Sequence, residues 1–360
     1  MQKVKVGIIG CGNISDAYLK NCVHYEHLEV VALADLNLEL ARSKAATYGI
    51  TKVMTTDELL ADPDIEIVLN LTIPQAHAEI SLAALEAGKH VYSEKPLAVT
   101  VEDGQRIIAK AKERNLRVGV APDTVLGAGI QTCRKLIDDG VIGKPIAASA
   151  FMLSGGPESW HPNPAFLYAK GAGPMFDMGP YYLSAFITLL GPIKRVTGSA
   201  VISYPEREIT SQPLNGQMIE VETPTHINSV IDFESGATAT LTTSFDIKGG
   251  STLPNIELYG SEGTLIVPDP NTFSGPVKLR RAGSDQFEEI PLTHPYDGPD
   301  RGVGLLDMAL AIREDRPHRA SGELALQVLE IMHGVHIASA EGRHYNVQHQ
   351  CDRPSAMPER

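Results

Sequence analysis

Six short stretches of the 360-residue chain, and one lone aspartate, hold side chains whose types and spacing suit chemistry. The first is Gly10-Cys11-Gly12-Asn13-Ile14-Ser15, directly after the apolar run Lys3–Ile9, a G-x-G-x-x-S variant of the dinucleotide-binding turn. Its glycines permit a tight turn and a close approach of backbone to a pyrophosphate. A helix opening at Asn13-Ile14 turns N–H donors and a positive dipole end toward the same place. Ser15 stands where a third glycine is usual and is still small enough for helix to meet strand. Asp35 follows 20 positions later, at the end of a second apolar run. A carboxylate there accepts from ribose hydroxyls and repels a 2′-phosphate, and Leu36 and Asn37 offer no cation to hold one, so NAD is expected rather than NADP. The competing reading of Asp35 is a cap for the next helix.

Three further segments end apolar strands on the same edge: Thr72-Ile73-Pro74, Ser93-Glu94-Lys95-Pro96 and Ala121-Pro122-Asp123. Ligands of open α/β sheets sit outside the carboxyl ends of the strands, so Lys95 and Asp123 become candidate substrate contacts. Pro96 restricts Lys95 and could aim its ammonium group; a surface Glu/Lys pair is the alternative. In Gly171 to Tyr181, Asp177 and Tyr181 are four apart and share one helix face. Because proline is best tolerated near a helix start, Pro180 predicts a helix over Met178–Leu190 that opens close to Asp177. Tyr181 is a candidate proton donor and acceptor, and a cation such as Lys95 beside it would favour the phenolate. The alternatives are an N-cap for Asp177 and core packing for Tyr181. Gly155 to Pro162 carries the only tryptophan, Trp160, between Glu158 and His161. The three suit a polyhydroxylated ring, with the indole stacked on its apolar face; a loop anchored by a buried indole is the other reading.

The elements that must position these residues alternate in the first third of the chain. Strand patterns over Lys3–Ile9, Glu29–Ala34, Glu66–Leu71, His90–Ser93 and Arg117–Ala121 are separated by helical patterns over Asn13–Val23, Leu38–Tyr48, Gln75–Ala87 and Val101–Arg114. Thr55-x-x-Glu58 reads as a capping box. Alternation of this kind means a parallel, doubly wound sheet covered on both faces. From Val196 to Leu292 short strand runs with turn residues between them predict an antiparallel sheet, as in His226–Phe233 and Ala237–Phe245 around Glu234-Ser235-Gly236. Helices are expected over Ile130–Asp139, Gly304–Arg313 and Ser321–Ala340. The fold class is therefore α/β: a doubly wound parallel domain over 1–123, an α+β domain with a mostly antiparallel sheet over 124–345, and a loose polar tail over 346–360.

Composition narrows the function classes. With 31 Lys and Arg against 44 Asp and Glu the formal charge is -13, which argues against nucleic-acid and anionic-membrane partners. No apolar run nears the ~18 residues of a membrane span. Cys11, Cys22, Cys133 and Cys351 show no paired spacing, so reduced thiols in a cytoplasm are expected. No metal-ligand signature is present, and no metal is expected.

Taken together these residues resemble the Gfo/Idh/MocA superfamily (glucose–fructose oxidoreductase, inositol dehydrogenase, rhizopine catabolism). The resemblance runs over nearly the whole chain, from Gly10-Cys11-Gly12 through Glu94-Lys95-Pro96 and the Asp177 segment to Gly260-Ser261-Glu262-Gly263-Thr264. It implies that 1–123 is an NAD-binding Rossmann domain and 124–345 a substrate-binding and oligomerisation domain with an open sheet, NAD(P)-dependent hydride transfer at a hydroxyl carbon of a sugar, cyclitol or related polyol, and homodimers or homotetramers formed through the second sheet. It places Lys95 as catalytic, Glu94 near the nicotinamide, and Thr72, Pro74 and His77 in a cofactor-contacting segment; Asp177 matches the catalytic-segment aspartate. The chain departs from the family pattern D-x-G-x-H-x-x-D at two positions, with Tyr181 for the histidine and Ser184 for the last acid, and Ala121-Pro122-Asp123-Thr124 replaces an Asn-x-Arg-like segment. The alternatives to a dehydrogenase are a redox-neutral sugar-modifying enzyme with retained NAD and a non-catalytic NAD-sensing protein.

Overall fold

A computed structural model describes residues 2–360. The chain forms two compact units. The first holds residues up to Gly127 together with Tyr296–Leu329, and the second holds Ala128–Pro295 with Glu330–Arg360.

The first unit is built on β1 (Val4–Ile9), β2 (Leu28–Ala34), β3 (Lys52–Met54), β4 (Ile67–Asn70), β5 (His90–Ser93) and β6 (Val118–Val120), a six-stranded sheet in the order β3-β2-β1-β4-β5-β6. Every pairing is parallel. The connecting helices are α1 (Asn13–Cys22), α2 (Leu38–Tyr48), α3 (Thr56–Ala61), α4 (Pro74–Glu86) and α5 (Val101–Glu113). The central strands are apolar because helices cover both faces: all four residues of β4 are buried. The expected capping box opens α3, with Thr55 Oγ1 accepting from Glu58 N and Glu58 Oε2 accepting from Thr55 N at 2.8 Å. Chain order reverses between β1 and β4, which puts a crevice at their carboxyl ends.

The second unit carries α6 (Ala128–Asp138), β7 (Pro145–Leu153), α7 (Pro174–Leu190), β8 (Ile193–Val201), β9 (Glu206–Glu208), β10 (Met218–Glu220), β11 (His226–Phe233), β12 (Thr238–Ser244), β13 (Ile256–Gly260), β14 (Gly263–Val267), β15 (Val277–Arg281), β16 (Glu288–Ile290) and β17 (Tyr345–Asn346). Nine of these strands pair in the order β16-β15-β14-β13-β7-β12-β11-β8-β17, and β9 pairs with β10 apart from them. Within the nine-stranded sheet only β7–β12 is parallel. α6 and α7 pack on one face. Side chains of β11 alternate between buried and outward positions, so the other face is open, with Val230 outward. Two helices complete the chain, α8 (Val303–Glu314) in the first unit and α9 (Gly322–Glu341), which runs across the division.

The structure differs from the sequence expectations in four places. The single boundary at 123/124 gives way to a discontinuous first unit, because Tyr296–Leu329 packs with it. Asp123 accepts from Gly302 N at 2.7 Å and Gly304 N at 3.2 Å at the start of α8, Val120 N donates to Ala320 O at 3.1 Å, and Leu305 and Met308 join the core beside Ile8, Leu69 and Tyr92. The expected start of α7 near Asp177 is corrected to Pro174, preceded by Gly173 at φ 91. Pro174 occupies the early position that suits proline, and Pro180 lies inside the helix. A mid-helix proline costs about 3 kcal/mol, which is offset by burial of every residue from Tyr181 to Leu190. The tail expected to be loose is docked: Cys351 and Met357 are buried, Met357 N donates to Gln131 Oε1 at 2.8 Å, and Arg353 donates to Thr188 O at 2.9 Å and Leu189 O at 2.8 Å. Finally, β3 was not expected; its three residues are half-buried at the sheet edge and carry too short a pattern to read.

Candidate cofactor site and catalytic residues

On the first unit, the turn after β1 shows two glycines required for different reasons. Gly10 has φ +101, and a Cβ on it would lie 2.6 Å from Leu71 C and O, so the fold itself demands glycine. Gly12, the N-cap of α1, has an ordinary φ of -68, and a Cβ there would meet no protein atom within 4 Å. Nothing in the protein requires a glycine at 12, so the open approach to its backbone is left for a ligand. Asn13 and Ile14 are exposed in the first turn of α1, where the helix leaves its N–H groups without intrahelical partners. Ser15 is buried and donates to Gly12 O at 2.7 Å, which closes the turn.

The Asp35 carboxylate sits beside this turn. Its Oδ2 accepts from Cys11 N at 2.7 Å and its Oδ1 from Asn37 N at 2.7 Å. Two backbone donors thus fix the carboxylate while leaving it further acceptor capacity. The cap of α2 is Asn37, whose side chain accepts from Glu39 N and Leu40 N, so the capping role falls to a neighbour. Burial pushes the Cys11 thiol up to about 12, which makes it a packing group. Leu36 and Ile73 stand exposed on loops at this edge, at 103% and 66%. Together the open Gly12 backbone, the helix N-terminus, the fixed carboxylate and these apolar side chains fit a dinucleotide.

The neighbouring loops are tied by buried polar contacts. Thr72 is half-buried and donates through Oγ1 to Asn70 Oδ1 at 2.7 Å; Pro74, exposed, opens α4. His77, expected to contact the cofactor, is wholly buried, its Nδ1 2.6 Å from Pro96 O and its Nε2 3.0 Å from Thr72 O, and with both ring nitrogens taken up by loop carbonyls that expectation is corrected to a tie inside the protein. Glu94 is buried, accepting from Tyr18 Oη at 2.7 Å and from Lys95 N at 3.0 Å. Lys95 is half-buried. Tyr18 was not singled out from the sequence; it sits among the apolar positions of α1, and no spacing marks it. Asp123 has no exposed surface, and its carboxylate is occupied by Gly302 N, Gly304 N and Arg301. Its expected substrate contact is therefore corrected to a brace for the start of α8. Burial raises its carboxyl pKa, and Arg301 works against that shift.

On the second unit, Asp177 is half-buried and Tyr181 is 7% exposed, one turn apart on α7. Glu158 is 5% exposed: Arg207 Nη1 donates to its Oε1 at 2.7 Å and Tyr168 Oη donates to its Oε2. Arg207 also pairs with Asp246 and donates to Phe245 O at 3.0 Å. Glu158, expected to meet substrate, is thus the buried anchor of its loop, because Arg207 on β9 lies close enough to take its charge. Trp160 is 68% exposed, so the indole is not that anchor. His161 lies edge-on to Trp160 at 5.5 Å and to Phe166 at 5.3 Å. Among the described residues no cluster of His, Cys, Asp and Glu suits a metal ion.

Residues 4–121 match the family model described as "Oxidoreductase family, NAD-binding Rossmann fold", and residues 130–266 match the "GFO/IDH/MocA C-terminal domain". A 1,5-anhydro-D-fructose reductase of Ensifer adhaerens is 28% identical over 294 residues, 79% of this chain and 82% of that one. A levoglucosan dehydrogenase of Pseudarthrobacter phenanthrenivorans is 26% identical over 334 residues, 84% of this chain and 83% of that one. The crystal structure of an NAD binding oxidoreductase from Klebsiella pneumoniae superposes with a TM-score of 0.83 at 25% identity, covering 96% of this chain and 99% of that one.

Proposed function

Because the chain belongs to the GFO/IDH/MocA family of NAD-binding oxidoreductases, we propose that it is an NAD-dependent dehydrogenase that oxidises a hydroxyl carbon of a sugar, cyclitol or related polyol. The observation that carries this reading is the Gly10–Gly12 turn joined to the Asp35 carboxylate through Cys11 N. The names of the two curated relatives, a reductase of an anhydrosugar and a dehydrogenase of another, support the substrate class.

NAD, when bound, supplies the hydride acceptor. The backbone from Gly10 to Ile14 would hold the pyrophosphate, and Asp35 would accept from the ribose hydroxyls and repel a 2′-phosphate. Thr72, Pro74 and Glu94 would flank the cofactor. Tyr181 takes the proton of the substrate hydroxyl, the Lys95 ammonium carries the developing alkoxide charge, and Asp177 orients a donor or a substrate hydroxyl. Exposed Trp160, with His161 beside it, contacts the ring of the substrate. The active form is a homo-oligomer assembled through the open face of the nine-stranded sheet. The four free cysteines, all buried, suit a reducing cytoplasm, and no helix among the described residues is long and apolar enough to cross a membrane.

The test is reduced-nicotinamide absorbance with NAD and NADP in parallel, over a panel of aldoses, anhydrosugars, cyclitols and sugar acids. Turnover with NAD that falls by about 10²–10⁴-fold in Tyr181→Phe and in Lys95→Ala, with NAD affinity retained, is the expected result. Wild-type turnover in both variants would remove them from the chemistry. A tightly held NAD that is never released as the reduced form would favour the redox-neutral alternative.

A further inference from the structure

α4 carries a buried histidine with both ring nitrogens engaged. His77 has no exposed surface, yet its two ring nitrogens face backbone carbonyls of two different loops: Nδ1 lies 2.6 Å from Pro96 O and Nε2 lies 3.0 Å from Thr72 O. One carbonyl belongs to the residue after Lys95, the other to the segment that follows β4. Around it the contacts are local and buried. Asn70 Nδ2 donates to His77 O at 3.1 Å and to Ser81 Oγ at 3.2 Å, and Asn70 Oδ1 accepts from Thr72 N and Oγ1. A buried apolar residue would fill the same volume without tying either loop, so the polarity of this side chain calls for a reason beyond packing.

We propose that His77 is a positioning residue: its Nδ1–H donates to Pro96 O and so fixes the backbone that carries Lys95. This rests on the reading of Lys95 as the group that carries the alkoxide charge. A neutral imidazole owns a single N–H, and two facing carbonyls compete for it. The shorter contact, to Pro96, takes the proton. Burial holds the imidazole pKa below its usual value, the two carbonyls and the Glu94 carboxylate act against that shift, and the Lys95 ammonium adds to it. The ring is therefore neutral at neutral pH, and the Thr72 carbonyl faces an unprotonated Nε2. The Pro96 carbonyl, one residue past Lys95, is then held by a buried side-chain donor, as the Glu94 carbonyl before Lys95 is by Ser93 Oγ at 3.1 Å, and a displacement of the order of 1 Å at a catalytic group can cost about 10²-fold in rate.

The experiment separates the two nitrogens. The amide nitrogen of Asn falls where Nδ1 lies, and that of Gln falls where Nε2 lies. His77→Asn should keep turnover within about threefold of wild type, whereas His77→Gln and His77→Leu should lower kcat by about 10–100-fold with KM for NAD nearly unchanged. Wild-type kcat in Gln and Leu variants overturns the proposal, as does equal loss in all three. A measurement on the unaltered protein needs no variant to fold: with ¹⁵N-labelled histidine, the His77 ring should show the Nδ1–H tautomer at neutral pH, and an Nε2–H tautomer overturns it. Lys95→Ala run alongside keeps the two ideas apart. If that variant retains turnover, the catalytic reading of Lys95 fails, and the tautomer still decides the hydrogen bond.

Discussion

Two acidic residues expected to meet ligands ended in opposite situations. Asp35, in the first unit, is half-buried and held by two backbone N–H groups that fix its direction without neutralising it. Glu158, in the second, is buried against Arg207 and Tyr168, which satisfy both of its oxygens. Backbone donors carry only partial charge, so Asp35 keeps its anion available for hydroxyl donors. A guanidinium brings a full charge, and an ion pair sealed from water is committed to the fold. What separates the carboxylate proposed to face a ligand from the structural one is the kind of donor that holds it, more than its distance from a glycine-rich turn.

The largest expected effect tests the structural half of that contrast. Arg207→Leu leaves Glu158 and Asp246 buried without their cation and should cost about 3–5 kcal/mol in denaturant unfolding. A loss under about 1 kcal/mol would return Glu158 to the candidates for substrate contact. Asp35→Ala tests the other half. It should weaken NAD about 10–100-fold, the range for a hydrogen bond to a charged group, and relax the rejection of NADP, at a cost in unfolding of about 1–3 kcal/mol because Cys11 N and Asn37 N lose their acceptor. Equal discrimination in variant and wild type would end the ribose assignment. The smallest effect compares the two units through histidines rather than carboxylates. Burial pushes His90 in the first unit and His336 in the second down to about 4. Each binds a proton more readily when unfolded. Their contribution to stability is complete above about pH 6.5 and is lost as pH falls toward 4. Tm should be flat above that window and drop by a few degrees across it, less so in His336→Phe; a drop confined to lower pH would assign acid sensitivity to carboxylates.

The parts of the molecule legible in the sequence are those whose pattern is local. Strands β1, β2, β4 and β5 and helices α1, α2, α4 and α5 fall within one or two residues of their apolar periodicity, and the capping box at Thr55 forms as its spacing requires. The Gly10–Gly12 turn and Asp35 lie where a strand-turn-helix reading puts them. What escaped was set by contacts distant along the chain. Arg207 is 49 positions from Glu158, and Tyr18 is 76 from Glu94. Pro180 argued for a helix start, but ten buried residues after it hold the helix through the proline. The final segment looks polar, yet Arg353 reaches the carbonyls that end α7.

The discontinuous first unit has a consequence for the chain as it is made. A ribosome works from the N-terminus, and by Gly127 it has delivered every strand of the parallel sheet. It has not delivered Ala320, whose carbonyl receives Val120 N, or the Gly302 and Gly304 amides that Asp123 needs, or Leu305 and Met308 of the core. The nascent Rossmann sheet therefore waits, with an edge strand and a buried acid unserved, while about 170 further residues emerge at roughly 5–20 residues per second. Through that interval of many seconds the core face that Leu305 and Met308 cover stays open, and neither unit can be finished until the last part of the chain emerges, because Tyr296–Leu329 completes the first and Glu330–Arg360 the second.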